Sequence, residues 1–356
     1  MIKATKLVHT AVLLALAAGA ASARANHDSG TLAVVMTNSP TANQILVFDT
    51  GTKALLQTLS TRGFGGASGN ARGVKQLNGD LVAVVNYGSN SVSLFKREGN
   101  RLRLDQIVAT SSAPVSIDFG NHHMYVAGAT TVDSFEMSHG DLWRDGSAPL
   151  RLVGGATPTA GSTAQVGVLN KNALLVTLKT DPNPGSVDVV TLLDGAVTSA
   201  APQVVSGPAG SLTPFGFSVY PDGTAIITLA HTSQDGLFRN GAFTDVVSSG
   251  TGAAAPCWTT RVGKYVFTAN TGSGTISRLV GTGNNIFVDS GVAATLGGGV
   301  TDLDADKGVM GVLRGGSQLY LLSYDQFGAL SPFAPISLGV STANGVAILG
   351  AQDRDD

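Results

Sequence analysis

A short polar turn recurs six times along this chain, at intervals of roughly 40–50 residues. The turns are Asn78-Gly79-Asp80, Asn121-His122-His123, Asn170-Lys171-Asn172, Pro221-Asp222-Gly223, Val262-Gly263-Lys264 and Asp306-Lys307-Gly308. Each turn lies between short segments in which apolar side chains alternate with polar ones, a pattern typical of antiparallel strands. The interval matches the four-stranded blades of a β-propeller.

The two ends of the chain supply the remaining blade. Three predicted strands within residues 31–60 precede the first repeat, and one predicted strand at residues 345–350 follows the last. Pairing them in one blade would close the ring and remove an open sheet edge. We therefore predict an all-β, seven-bladed β-propeller in which the N- and C-terminal strands share a blade. Irregular spacing around residues 133–163, where we place a fourth strand at 149–153, leaves six blades as the alternative.

The first 25 residues read as a signal peptide. Lys3 and Lys6 precede an apolar segment at residues 11–18, and small residues at 21–25 offer two cleavage sites. A retained N-terminal anchor is the alternative. We predict a single propeller domain at residues 26–351, a polar tail at 352–356, and a periplasmic or secreted location.

Composition excludes several classes of partner. The formal net charge is −2 and charged residues are 13% of the chain, so neither nucleic acid nor an anionic membrane surface is expected as a partner. The single cysteine, Cys257, cannot form an intrachain disulfide, and we interpret it as a small buried hydrophobe. A monomer without membrane contact after signal removal, and without a cofactor, is the expectation.

Propeller geometry selects the candidate site. The loops that lead into the inner strands and those between second and third strands share one face, where functional residues usually lie. On that face we place Arg72, Asn86, Tyr87, Gln165, Lys179, Phe215, His231, Trp258, Asn270, Asp302, Arg314 and Asn344.

Four of these residues suggest a ligand, and one suggests catalysis. Arg72, Lys179 and Arg314 could converge on an anionic ligand or could line a wet rim. His231 could serve as a general base or be a solvated residue at the end of a loop. Trp258 could stack on a ligand or fill the channel.

Two segments could hold a metal ion, and the simpler interpretation is favoured for both. Residues 302–308 begin like a calcium loop, but Lys307 stands where its glycine belongs and Leu313 where its bidentate glutamate belongs. The segment fits an inner strand and its turn. His122 and His123 fit a polar hairpin tip on the opposite face, so no metal site is predicted.

Several segments resemble the β-propeller lactonase family, which includes bacterial 6-phosphogluconolactonase and fungal carboxymuconate cyclase. The matching residues are Val85-Asn86-Tyr87-Gly88-Ser89-Asn90-Ser91-Val92-Ser93-Leu94-Phe95, Tyr220-Pro221-Asp222-Gly223, Pro256-Cys257-Trp258 and Thr268-Ala269-Asn270-Thr271-Gly272-Ser273-Gly274-Thr275-Ile276-Ser277. The resemblance implies a seven-bladed ring with a ligand pocket at one end of its channel, and hydrolysis of a lactone or cyclic ester.

The chain departs from the family at the positions expected to be catalytic. Where the family usually has a His early in a middle blade, this chain has Ala164-Gln165-Val166. Where it has Arg-His, this chain has Pro214-Phe215-Gly216-Phe217, and the strand after Pro221-Asp222-Gly223 ends at His231 without a Glu. Two functions remain open: a lactonase that uses other residues, and a non-catalytic propeller that binds a small anionic or lactone-type ligand or a protein.

Overall fold

The computed structural model describes residues 30–180, 184–332 and 334–350. Strands account for 59% of the residues and helix for 2%, and seven small antiparallel sheets form a ring. The predicted all-β, seven-bladed propeller is confirmed. The predicted signal peptide (1–25) and polar tail (352–356) lie outside the described residues.

The first half of the ring consists of blades 1 to 3. The chain begins with three strands of blade 1, which are β1 (Leu32–Met36), β2 (Gln44–Asp49) and β3 (Leu55–Ser60). Blade 2 contains β4 (Val74–Leu77), β5 (Leu81–Asn86), β6 (Ser91–Glu98) and β7 (Arg101–Ala109). Blade 3 contains β8 (Pro114–Gly120), β9 (His123–Gly128), β10 (Thr131–Ser138) and β11 (Asp141–Pro149).

The second half consists of blades 4 to 7. Blade 4 contains β12 (Thr163–Asn170), β13 (Ala173–Leu178), β14 (Ser186–Leu193), β15 (Ala196–Val197) and β16 (Gln203–Ser206). Blade 5 contains β17 (Pro214–Val219), β18 (Ala225–Leu229), β19 (Gln234–Arg239) and β20 (Ala242–Ser248). Blade 6 contains β21 (Pro256–Val262), β22 (Tyr265–Asn270), β23 (Thr275–Thr282) and β24 (Asn285–Thr295). Blade 7 contains β25 (Val300–Asp306), β26 (Val309–Arg314), β27 (Gln318–Tyr324), β28 (Leu330–Pro332) and β29 (Ile336–Ser337).

The last strand, β30 (Val346–Leu349), returns to blade 1 as its inner strand. It pairs antiparallel with β1, in the sheet order β3-β2-β1-β30. The pairing of the two ends in one blade is therefore as predicted. The helical segments among the described residues are two single 3₁₀ turns, Tyr87–Ser89 and Ala230–Thr232.

The predicted fourth strand of blade 3 is wrong. We placed it at residues 149–153, whereas β11 spans Asp141–Pro149. The register of β11 against β10 shifts between Ser134 and Phe135, so that Asp145 is an extra residue on β11. This bulge interrupts the two-residue alternation by which a strand is recognised in sequence.

Burial falls from the middle of each blade towards its rim. Each sheet packs between two others, so β1 and β18 are buried at every position and read as continuous apolar runs. The outer strand β3 is partly or fully exposed along its whole length. Apolar side chains between the sheets form the core, and the loops at the two ends of the ring are left to carry a site.

Side chains join the inner strands of neighbouring blades, whose facing edges have no backbone ladder. Two N–H groups of β30 and the N–H of Gly350, which follows it, donate to carboxyl groups of β25. The pairs are Val346–Asp302, Ile348–Asp304 and Gly350–Asp306, at 3.2, 2.9 and 2.9 Å. Gln165 does the same between blades 4 and 5: it accepts from Phe217 N at 3.0 Å and donates to Phe217 O at 2.7 Å. Gln165 and Asp302 are two of the residues that we placed at the candidate site. Both instead satisfy backbone groups that would otherwise be unpaired.

Arg97 of blade 2 fixes both ends of the described chain. Its Nη1 donates to Gly350 O at 2.6 Å and its Nη2 donates to Gly30 O, while Nε donates to Gly99 O at 2.7 Å. Gly30 and Gly350 therefore lie side by side, on the face that carries the turns between first and second strands.

Candidate functional site

A pocket of about 940 Å³ opens on the opposite face, above blades 4, 5 and 6. Its walls come from loops that lead into three inner strands and from the ends of two second strands. The lining residues are Leu152, Thr159, Ala160, Gly161, Ser162, Lys179, Thr180, Thr213, Phe215, Ala230, His231, Ser233, Ala254, Ala255 and Cys257. This volume is in the range of small-molecule sites, and the pocket lies on the predicted face.

Lys179 and His231 lie at equivalent places in neighbouring blades, just after the second strand. Lys179 follows β13, and its Nζ lies 5.6 Å from the centre of the Phe215 ring. His231 lies in the 3₁₀ turn that follows β18 and is exposed. The repeat therefore brings an ammonium group and an imidazole to one cavity, both from the set predicted by sequence.

Phe215 and the loop before blade 2 hold the Lys179 ammonium near the axis of the ring. A Cβ added to Gly69 would lie 2.7 Å from Nζ, so the absence of a side chain there permits the approach. The ammonium also lies over the ring of Phe215, where a cation–π attraction favours it. The cation thus occupies the axial side of the pocket.

Thr213 combines an unusual backbone with a buried hydroxyl. Its φ is +64°, an uncommon value for a β-branched residue, and it is 6% exposed. Its hydroxyl is buried without a hydrogen-bond partner among the described residues. The corresponding positions before the inner strands of blades 1, 6 and 7 are Gly345, Ala255 and Gly299, also at positive φ. Strain of this kind concentrates at functional positions.

Cys257 lines the pocket but is poorly suited to nucleophilic chemistry. Burial raises the pKa of its thiol to about 11, so the reactive thiolate is scarce at neutral pH. Its Sγ donates to Ala255 O at 3.4 Å. Cys257 is a wall residue of the pocket and is half-buried, less buried than the sequence interpretation expected.

Trp258 fills the centre of the ring beneath the pocket. It is 6% exposed, and its Nε1 donates to Asn70 O at 2.8 Å, on the loop before blade 2. Its ring meets Phe215 edge to face, with centroids 5.2 Å apart. Asn344 donates to the Asn70 side chain at 2.6 Å, so it too belongs to this central cluster. Neither Trp258 nor Asn344 lines the pocket.

The three predicted cations do not converge. Arg72 lies 3.8 Å from the carboxylate of Asp118. Arg314 donates from Nε to Gly298 O and from Nη1 to Gln318 Oε1, each at 3.1 Å. Lys179 is the one of the three that lines the pocket.

Asn86 and Asn270 stabilise equivalent turns in blades 2 and 6. Asn86 Nδ2 donates to Ser93 Oγ at 2.8 Å, and Asn270 Nδ2 donates to Ser277 Oγ at 2.7 Å. Both side chains are fully buried and neither lines the pocket. The segments that most resemble the lactonase family therefore contain a repeated structural turn, with Tyr87 in the 3₁₀ segment after the first asparagine.

The candidate metal segments have structural partners. Asp302 and Asp304 belong to β25 and bind the backbone of β30. His123 is 4% exposed and lies 2.8 Å from Asp145 Oδ2 through Nε2. Among the described residues no group of three His, Cys, Asp or Glu could hold a metal ion.

The sequence pattern did not predict the threonine, serine and small apolar residues that line the pocket. Thr213, Ser162 and Ser233 were not predicted, nor was the loop at residues 152–161. One signal was present: Thr213-Pro214 and Ala255-Pro256 are matching dipeptides at the start of two inner strands. Aligning these dipeptides would have placed Thr213 beside Ala255 on the pocket face.

No helix within the described ranges has the length and apolar character needed to cross a membrane.

No protein-family model and no curated protein matches the chain. Solved structures match it in fold. A candidate 6-phosphogluconolactonase from Bacteroides uniformis is 14% identical, with a TM-score of 0.64 over 90% of this chain and 99% of that one. A protein from Lactobacillus plantarum is 16% identical, with a TM-score of 0.63 and the same two coverages.

A different chemistry occurs on a similar frame. A catalytically inactive variant of virginiamycin B lyase from Staphylococcus aureus, solved with quinupristin, is 14% identical. Its TM-score is 0.54, over 84% of this chain and 97% of that one. Because these identities are low, the likeness is one of fold alone. The chain is thus a seven-bladed β-propeller whose structural neighbours include lactonase-like proteins.

Proposed function

We propose that this protein is an exported, lactonase-like propeller that hydrolyses a lactone in the pocket above blades 4 to 6. The observation that carries the proposal is the presence of Lys179 and His231 in one cavity. An imidazole can take a proton from water, and an ammonium can stabilise negative charge on oxygen. Lactone hydrolysis needs both.

The chemistry follows from these two groups. His231 removes a proton from water while the water oxygen bonds to the lactone carbonyl carbon. Lys179 stabilises the negative charge that forms on the carbonyl oxygen. The ring C–O bond then breaks, and the imidazolium returns its proton to the ring oxygen. The product is a hydroxy acid, whose carboxylate the ammonium can retain.

The test is hydrolysis of a panel of sugar and aliphatic lactones by the purified mature chain. We expect His231→Ala to lower kcat by about 10²-fold or more, and Lys179→Met to lower kcat/KM by about 10²-fold. His139→Ala and Lys171→Met are matched controls, since both residues are exposed on turns of the opposite face. Hydrolysis that is equally fast in all four variants would contradict the proposal.

A non-catalytic binding propeller is the second candidate. Gln165 occupies the position where the family resemblance implies a histidine, and both of its amide atoms bind the Phe217 backbone. A residue held in this way is structural. If no lactone is hydrolysed but anionic ligands raise the melting temperature, the binding function is supported instead.

Export is part of the proposal and has its own test. The basic residues Lys3 and Lys6 and the apolar segment after them support it. Intact-mass analysis of protein from the periplasm and the medium should give a chain that begins at Arg24 or Asn26. Recovery of the full-length chain from cytoplasm or membranes would contradict export.

A further inference from the structure

A second cavity continues the pocket away from the axis. It has a volume of about 200 Å³ and is lined by Leu152, Val153, Thr180, Pro184, Gly185 and Ser186. Leu152 and Thr180 line both cavities, so the two adjoin. We call this second cavity the annex.

The two ends of the combined site differ in chemistry. Lys179 lies at the axial end, against Phe215 and Gly69. The annex, at the other end, has the apolar side chains of Leu152, Val153 and Pro184 beside two small hydroxyl residues. Val153 is 53% exposed, so its side chain is accessible to an apolar group that enters the annex.

The charge at the axial end suits one negative group. Among the described lining residues Lys179 is the one Lys or Arg. Phosphate sites usually combine several strong donors, often from arginine. A monocarboxylate, in contrast, can be held by one ammonium group.

We infer that the substrate is an unphosphorylated lactone with an aliphatic tail, whose ring lies at Lys179 and His231 and whose tail enters the annex. This inference rests on the proposed function for the reaction, but the tail site can be tested without it. Burial of apolar surface would drive tail binding. Each methylene that enters the annex should raise kcat/KM roughly threefold to fourfold.

The experiment compares δ-valerolactone, δ-decalactone and 6-phosphoglucono-δ-lactone as substrates of the mature chain. We expect kcat/KM for δ-decalactone to exceed that for δ-valerolactone at least tenfold, and to exceed that for the phosphorylated lactone. A preference for the phosphorylated lactone, or no effect of the tail, would overturn the inference while leaving lactonase activity intact.

A charged residue in the annex sharpens the test. Val153→Asp should lower kcat/KM for δ-decalactone about tenfold, with a loss that grows with tail length. Leu193→Asp is the control, because Leu193 is 67% exposed on blade 4 and lines neither cavity. Equal effects of the two variants would overturn the assignment of the annex.

If the wild-type chain hydrolyses none of the three lactones, the proposed function fails. The tail site is then tested by the binding of hydroxy acids. 5-Hydroxydecanoate should then raise the melting temperature more than 5-hydroxyvalerate or 6-phosphogluconate does. Val153→Asp should abolish the difference and Leu193→Asp should keep it. A larger shift with 6-phosphogluconate, or no shift with any acid, would overturn the inference.

Discussion

The seam between blades 7 and 1 and the pocket above blades 4 to 6 both contain polar side chains, which are used differently. At the seam, Asp302, Asp304 and Asp306 accept hydrogen bonds from backbone N–H groups of residues 346–350. At the pocket, Lys179 and His231 line a cavity, and the buried Thr213 hydroxyl has no partner among the described residues. Polar residues on inner strands hold the ring, whereas several polar residues in the loops above it line the pocket.

The central cluster should show the largest effect, because it joins the two regions. Trp258→Ala removes a buried indole and its hydrogen bond to Asn70, and should lower the free energy of unfolding by about 3–5 kcal/mol. Trp143→Ala is the matched control: it removes the other tryptophan, which is 64% exposed on β11. Urea denaturation of both variants gives the comparison. Equal losses would mean that the centre of the ring is not a packed core.

The seam should make stability depend on pH. Burial raises the pKa of the Asp302 carboxyl to about 8, against the opposing effect of the N–H groups of Leu303 and Val346 that it accepts from. The nearby charge of Asp304 adds to the rise, and Arg72 opposes it. Since this pKa lies above that of an unfolded aspartate, the folded state binds the proton more tightly. The contribution of Asp302 protonation to the free energy of unfolding is fully present below about pH 4 and is lost as pH rises through about 8.

Two further buried carboxyls act in the same direction. Burial raises the pKa values of Asp188 and Asp235 to about 7. We therefore expect a lower melting temperature at pH 9 than at pH 6, and a smaller difference in Asp302→Asn. The exposed Asp141→Asn is the control. An unchanged pH dependence in Asp302→Asn would show that this carboxyl is ionised throughout.

The paired asparagines should give the smallest effect and test the role of the shared turn. Asn86 Oδ1 accepts from Asn43 Nδ2 at 3.1 Å, whereas Asn270 Oδ1 is buried without a partner among the described residues. Asn86→Ala should therefore cost about 2 kcal/mol and Asn270→Ala about 1 kcal/mol. Urea denaturation measures both. A greater loss in Asn270→Ala would indicate that its oxygen binds something else, such as water.

The fold could be predicted because a repeat is recognised from many similar segments, so one misplaced strand does not change the number of blades. Six similar turns and two unpaired ends predicted the ring even though the strand at 141–149 was misplaced. That strand was missed because its bulge places Asp145 in contact with His123 and Ser134, which belong to other strands. The alternation of apolar and polar residues along one strand does not predict contacts with other strands.

The site was only partly predictable. The face was chosen from propeller geometry, and Lys179, Phe215 and His231 do line the pocket there. The same geometry selected Arg72, Asn86 and Gln165, whose partners lie in other strands or neighbouring blades. Whether a polar residue binds a backbone edge or lines a cavity depends on those distant neighbours, which the sequence pattern does not specify.

The bond of Arg97 to both Gly30 and Gly350 has a practical consequence. The two ends of the ring lie together on the face opposite the pocket. A fusion partner or surface tether attached at either end would leave the pocket facing solution. A short linker could also join the ends, so that a circularly permuted chain could be opened at the exposed Lys171 turn.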